Sequence, residues 1–116
     1  MSYTIDKFWD NRSIAAEDKI HLHFEYVAND ATGDRDLRIK IQAPFYDDPH
    51  MNDTTPVGSM DKLWDWEVVE VFFLGSDDRY LETEFAPKGQ YLLLQLHGAG
   101  NVTKYPIPLD TYSAKI

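Results

Sequence analysis

Trp64, Trp66 and Glu70 are the residues whose types and spacing best suit chemistry. All three fall within residues 63–74, LWDWEVVEVFFL. An indole offers a flat apolar face, and a carboxylate on the same side of a strand offers a fixed hydrogen-bond acceptor. Together they suit a small polar ligand with a hydrophobic flank, such as a sugar ring. The same residues also suit ordinary packing. An unpaired buried carboxylate is costly, so Glu70 needs an ion pair, a loop amide or a ligand.

Other clusters offer weaker chemistry. Glu70 and Glu84 could be read as a glycosidase acid/base pair, but such a pair must flank a bond in a cleft. Two glutamates side by side on a sheet do this poorly, so no enzymatic activity is expected. His21 and His23 share one side of a strand without an implied third metal ligand. Asp47, Asp48, His50 and Asp53 are oxygen-rich but lack the ordered spacing of an EF-hand loop. Nothing in the spacing of Met51, Met60, His50 and His97 demands haem. No cofactor is expected, and a structural calcium is left open without assigned ligands.

Composition narrows the partners. The 116 residues allow one domain, 1–116, with a modest core. Hydrophobic residues at 43% and aromatics at 14% fit a packed chain rather than a disordered one. A formal net charge of -9 repels phosphate backbones and anionic lipid, so neither nucleic acid nor membrane is an expected partner. There is no cysteine, hence no disulfide or thiolate chemistry. The first ten residues contain no apolar signal core, and a cytoplasmic location is expected. Sequons at Asn11, Asn52 and Asn101 then read as chance matches in polar turns.

The elements that position these residues are strands. Leu22, Phe24 and Tyr26 alternate with polar residues, as do Leu37, Ile39 and Ile41; residues 29–36, NDATGDRD, join the two runs as a hairpin. Residues 44–61 form a long polar connection with three prolines, which excludes a central strand. Residues 68–74, 80–85 and 90–97 read as successive strands, with a short further strand from Val102. Many short strands between turn signals argue for an all-β antiparallel β-sandwich or jelly roll.

A five-residue loop at 75–79 puts Leu74 opposite Tyr80, Phe72 opposite Glu82 and Glu70 opposite Glu84. A loop at 86–89 then places Tyr91, Leu93 and Gln95 beside Glu84, Glu82 and Tyr80. Leu92, Leu94 and Leu96 would join Val69, Val71, Phe73, Leu81 and Phe85 on a core face. Trp9 is expected in the core. Like charges opposite one another destabilise a sheet, so the glutamate face requires a base, a cation or ligand hydroxyls.

The block 63–96 resembles family-9 carbohydrate-binding modules of the DOMON-like superfamily, through Trp64, Glu70 and the strand VEVFF, followed by YLETEF and QYLLLQL. A closer resemblance runs through IDKFWD, APFYDDP, LWDWEVVEVFFLG, YLETEFAPKGQYLLL and NVTKYPIPL, to an uncharacterised animal and bacterial family of that fold. The resemblance implies that Trp64 stacks on a sugar and that Glu70 accepts from its hydroxyls. It also implies a second stacking tryptophan from a later segment, and an arginine near the place where Glu82 stands. Those relatives run on for several strands, so the chain is expected to be the N-terminal part of the fold, truncated at its C-terminus. The expected function is non-catalytic binding of a carbohydrate or similar polyhydroxylated ligand, through Trp64, Trp66, Glu70, Glu84, Tyr91 and Gln95. The alternative is a protein-interaction module without a small-molecule ligand, anchored on the aromatic segment, its partner covering exposed sheet edges.

Overall fold

The structure, a computed structural model, describes residues 1–109 and 112–116. It is all-β, with two short 3-10 turns and no α-helix among the described residues. The chain divides into two compact units, Met1–Pro44 and Phe45–Ile116.

The first unit is a three-stranded antiparallel sheet in the order β1-β2-β3: β1 (Ser2–Ile5), β2 (Ile20–Ala28) and β3 (Arg35–Gln42). The expected hairpin forms with Leu22 opposite Ile41, Phe24 opposite Ile39 and Tyr26 opposite Leu37. Period-two alternation fixes this register, because a one-residue slip would reverse both faces. Within the intervening turn, the Asn29 side chain accepts from the amides of Ala31 and Thr32. His21 and His23 lie beside hydroxyls of β1, with Nδ1 at 3.2 Å from Thr4 Oγ1 and 2.8 Å from Ser2 Oγ. Trp9 is not in a core: it is 96% exposed. It lies in a bend after β1 rather than on a strand, so no alternation directs its side chain inward.

The second unit is a mixed sheet in the order β4-β7-β6-β5, with β8 also on β7. Its strands are β4 (Gly58–Ser59), β5 (Val69–Leu74), β6 (Arg79–Phe85), β7 (Gln90–His97) and β8 (Val102–Lys104). The long connection is not wholly irregular, since β4 within it pairs parallel to the start of β7. The β5–β6 register is as expected, with Glu70 opposite Glu84 and Phe72 opposite Glu82.

The β6–β7 register is offset by one from the expected one. Phe85 faces Tyr91, Glu84 faces Leu92 and Glu82 faces Leu94. The cause is the loop. The Ala86 amide donates to the Gln90 carbonyl at 2.9 Å, leaving a three-residue turn, 87–89. Gly89 closes it at φ 101, the positive-φ position such loops require. Val57 Cγ1 lies 2.9 Å from where a Cβ on Gly89 would stand.

This offset exchanges the two faces of β7. Leu92, Leu94 and Leu96 share the glutamate face and form its core with Met51, Leu63 and Ala86. Met60, Trp66, Val68 and Tyr80 pack around them. The opposite face carries Val69, Val71, Phe73, Leu81, Thr83 and Phe85 with Tyr91, Leu93 and Gln95. Tyr91 and Gln95 are therefore removed from the Glu70–Glu84 side, contrary to expectation. The Tyr112 ring packs on that opposite face, 5.8 Å from Phe85 and 5.3 Å from Tyr91.

Two predictions test this packing. Leu63 is fully buried while Trp64 beside it is 49% exposed. Leu63→Ala should cost about 2–5 kcal/mol by urea denaturation, and Trp64→Ala clearly less. Gly89→Ala must both strain φ and displace Val57, so it should destabilise by more than about 1 kcal/mol. A neutral result would remove the loop as the cause of the register.

Candidate functional site

The glutamate face reads as three rows across β5, β6 and β7. They are Glu70–Glu84–Leu92, Phe72–Glu82–Leu94 and Leu74–Tyr80–Leu96. Apolar cover is complete over the leucines and lapses toward β5, where Phe72 is exposed and Leu74 is 81% exposed. β5 pairs only with β6 among the described strands. The face thus runs from a packed core to an open edge, with the carboxylates between.

Glu84 stands at the closed side. Its relative exposure is 0%, and neither Oε1 nor Oε2 has a hydrogen-bond partner. One carboxylate oxygen from each of Glu70, Glu82 and Glu84 lies within 4.8 Å of the other two. Among the described residues, none of the three pairs with a lysine, arginine or histidine. Burial pushes the Glu84 pKa up to about 8, helped by the Glu70 charge and by Glu82. Ionised, Glu84 meets no donor; a proton can be shared with the neighbouring Glu82 carboxyl only when one of the two is protonated, which also favours protonated Glu84. Glu70 is more open; its pKa is raised, first by desolvation and then by the Glu82 charge.

Leu63 and Trp66, on either side of Trp64 in the chain, pack on the leucine side of the sheet. The 3-10 turn Leu63–Asp65 packs on β7 and inserts Leu63 among Leu92, Leu94 and Leu96. Lys62, in the left-handed conformation at φ 56, turns the chain into it. Trp66 packs against the core, while Trp64 keeps half its surface open. Of the six expected ligand residues, the fold puts Glu70 and Glu84 on the leucine face and packs Trp66 against its core, while Trp64, next to Leu63 in the chain, stays half exposed. It places Tyr91 and Gln95 on the opposite face. Glu82, left out of that set, belongs to the cluster; its alternation with Glu84 along one strand was the available signal.

A separate small pocket of about 10 Å³, room for about one water, lies under the long connection. Its lining includes Phe45, Asp47, Met51, Trp66, Glu67 and Lys88, but neither Trp64 nor Glu70. Polar contacts tie this region together. Glu67 accepts from the amides of Tyr46 and Asp47 at 2.8 Å each. Lys88 Nζ lies 3.2 Å from Asp47 and 2.9 Å from Asp53, and donates to the Met51 carbonyl. His50 Nδ1 lies 2.6 Å from Asp47. Asp47 and Asp53, weighed above as oxygen ligands, are thus engaged by a lysine and, at Asp47, a histidine. The anchoring roles of Glu67 and Lys88 had no recognisable motif in the sequence.

No helix among the described residues is long and apolar enough to cross a membrane. Over 111 residues, 95% of its length, the chain is 39% identical to the human UPF0462 protein C4orf33. Its homologues are UPF0462 proteins. The rat homologue is 35% identical and the Danio rerio homologue 36% identical, each over 112 residues. The chain spans about half the length of these curated relatives, 52% of the human and rat proteins and 53% of the fish one. No family model and no solved structure matches it.

The chain offers a direct pH test of its buried acid. Between the unfolded pKa of 4.5 and the folded value of about 8, the folded state holds a proton that the unfolded state releases. Stability from this group is therefore full at low pH and lost as pH rises through that window. In EDTA, wild-type stability should fall by an amount on the order of a few kcal/mol between about pH 5 and pH 8. Glu84→Gln should remove most of the fall. Urea midpoints of the two proteins that run parallel across this range would contradict the assignment.

Proposed function

We propose that the chain is a non-catalytic binding module whose ligand lies on the Glu70–Glu82–Glu84 face, and that this ligand is a carbohydrate or similar polyhydroxylated molecule. The observation that carries the reading is Glu84, fully buried with two carboxylate oxygens that meet no donor. Buried acceptors are normally satisfied, and ligand hydroxyls can donate to Glu84 once the side chains between it and the open Glu70 side move apart. Glu70 reaches solvent on the same face and serves as the outer acceptor. Trp64 supplies a half-open indole next to Leu63, whose side chain packs on that face, and Trp66 packs against the same core. The resemblance of residues 63–96 to family-9 carbohydrate-binding modules supports the same pairing of Trp64 with Glu70. Glu82 stands near the place of the arginine in those modules, which makes the face an acceptor of hydrogen bonds rather than a donor.

A second reading, a protein-interaction module, draws on the exposed Phe72 and Leu74 at the β5 edge. Unpaired strand edges with apolar side chains are common docking surfaces.

Titration of tryptophan emission with glucose and with a panel of neutral mono- and oligosaccharides separates the two. At least one saccharide should give a saturable change. Trp64→Ala and Glu84→Gln should each abolish it while leaving a cooperative urea transition. Emission unchanged across the whole panel would overturn the carbohydrate reading and leave the interaction module.

A further inference from the structure

The carboxylate trio has a second capacity, distinct from accepting hydroxyl groups. Three glutamates whose nearest oxygens lie within 4.8 Å of one another form an all-oxygen donor set of high negative charge. Two independent observations set it apart from an ordinary acidic patch. Glu84 is fully buried with both oxygens lacking any partner, so at least one member is aimed into the cluster rather than solvated. The three side chains also come from adjacent paired strands, Glu70 directly opposite Glu84 and Glu82 two residues along β6, so a rigid backbone holds their spacing. By contrast, the acids of the long connection are drawn onto Lys88.

We propose that Glu70, Glu82 and Glu84 form a binding site for one divalent cation of the calcium type, with Glu84 as the inner ligand and Glu70 as the outer one. Hard oxygen donors select calcium, magnesium or manganese over softer transition metals. Shell flexibility then decides. Magnesium demands a near-ideal octahedron at about 2.0–2.1 Å, which three oxygens preset on adjacent strands within 4.8 Å of one another do not supply by themselves. Calcium takes about 6–8 oxygens and tolerates irregular shells. Three carboxylates supply between three and six, and water reaches the rest from the exposed Glu70 side. The cation would also offset the like-charge opposition of Glu70 and Glu84 across β5 and β6.

The site shares its carboxylates with the proposed saccharide face but needs no saccharide, so the two readings fail separately. The experiment is isothermal titration of the EDTA-treated, dialysed full chain with calcium chloride, then with magnesium chloride, in about 0.15 M sodium chloride to screen loose surface binding. One calcium per chain should bind, with magnesium about tenfold weaker or more. Glu84→Gln and Glu82→Gln should each lower calcium affinity about tenfold or more, since ligand charge sets affinity. Asp77→Asn, an acid in the β5–β6 turn outside the cluster, should leave it unchanged. Thermal unfolding with and without calcium gives the companion readout: the wild type should shift upward and Glu84→Gln should not. No saturable calcium binding by the wild type, or an equal loss from Asp77→Asn and the cluster variants, would overturn the proposal. Calcium binding without any saccharide response would sustain it while removing the carbohydrate reading.

Discussion

A carboxylate buried among leucines is the constraint on which the site depends. Glu84 lies on the same face as Leu92, Leu94 and Leu96, with Leu92 directly across from it and Glu70 on its other side. Water is excluded from Glu84, and no described donor replaces it. A charge there would be costly, so the acid is held protonated or must recruit a donor or cation. Every functional reading of the molecule is a way of resolving that one imbalance.

The surrounding structure maintains the imbalance rather than relieving it. Gly89 sets the short loop that brings the leucines to the glutamate side. Leu63 and Met51 then cover those leucines. The long connection that carries Met51 is fixed along its first half, by Glu67 gripping two amides and by Lys88 gripping Asp47, Asp53 and the Met51 carbonyl. Lys88, the basic residue of the β6–β7 loop, is turned toward Asp47 and Asp53 of the connection rather than toward the glutamates.

Much of the fold was legible because alternation was unambiguous. β3 carries apolar residues on one parity only, and β2 does so except at Val27, so their register followed at once. The β5–β6 pairing followed from the turn length and the glutamate positions. The β6–β7 pairing did not, for a physical reason. Residues 91–96, YLLLQL, are apolar on both parities, so either register buries leucines. Pattern then loses its force, and the backbone of the turn decides. The expectation that glutamates avoid the leucine face was reasonable on average and failed where a site is built. Trp9 failed differently, since hydrophobicity alone cannot place a residue that no strand orients. Of the candidate site, the Glu70–Glu84 juxtaposition was readable from the sequence. The exclusion of Tyr91 and Gln95 required the loop geometry.

Carbon-13 NMR of the glutamate carboxyl groups, followed against pH in EDTA, tests the state of Glu84 most directly. One resonance should titrate near pH 8, far above the others, and should vanish in Glu84→Gln. A wild-type spectrum in which every glutamate titrates in the ordinary carboxylate range, about pH 4–5, would contradict the account, because it would mean that Glu84 is solvated or already paired.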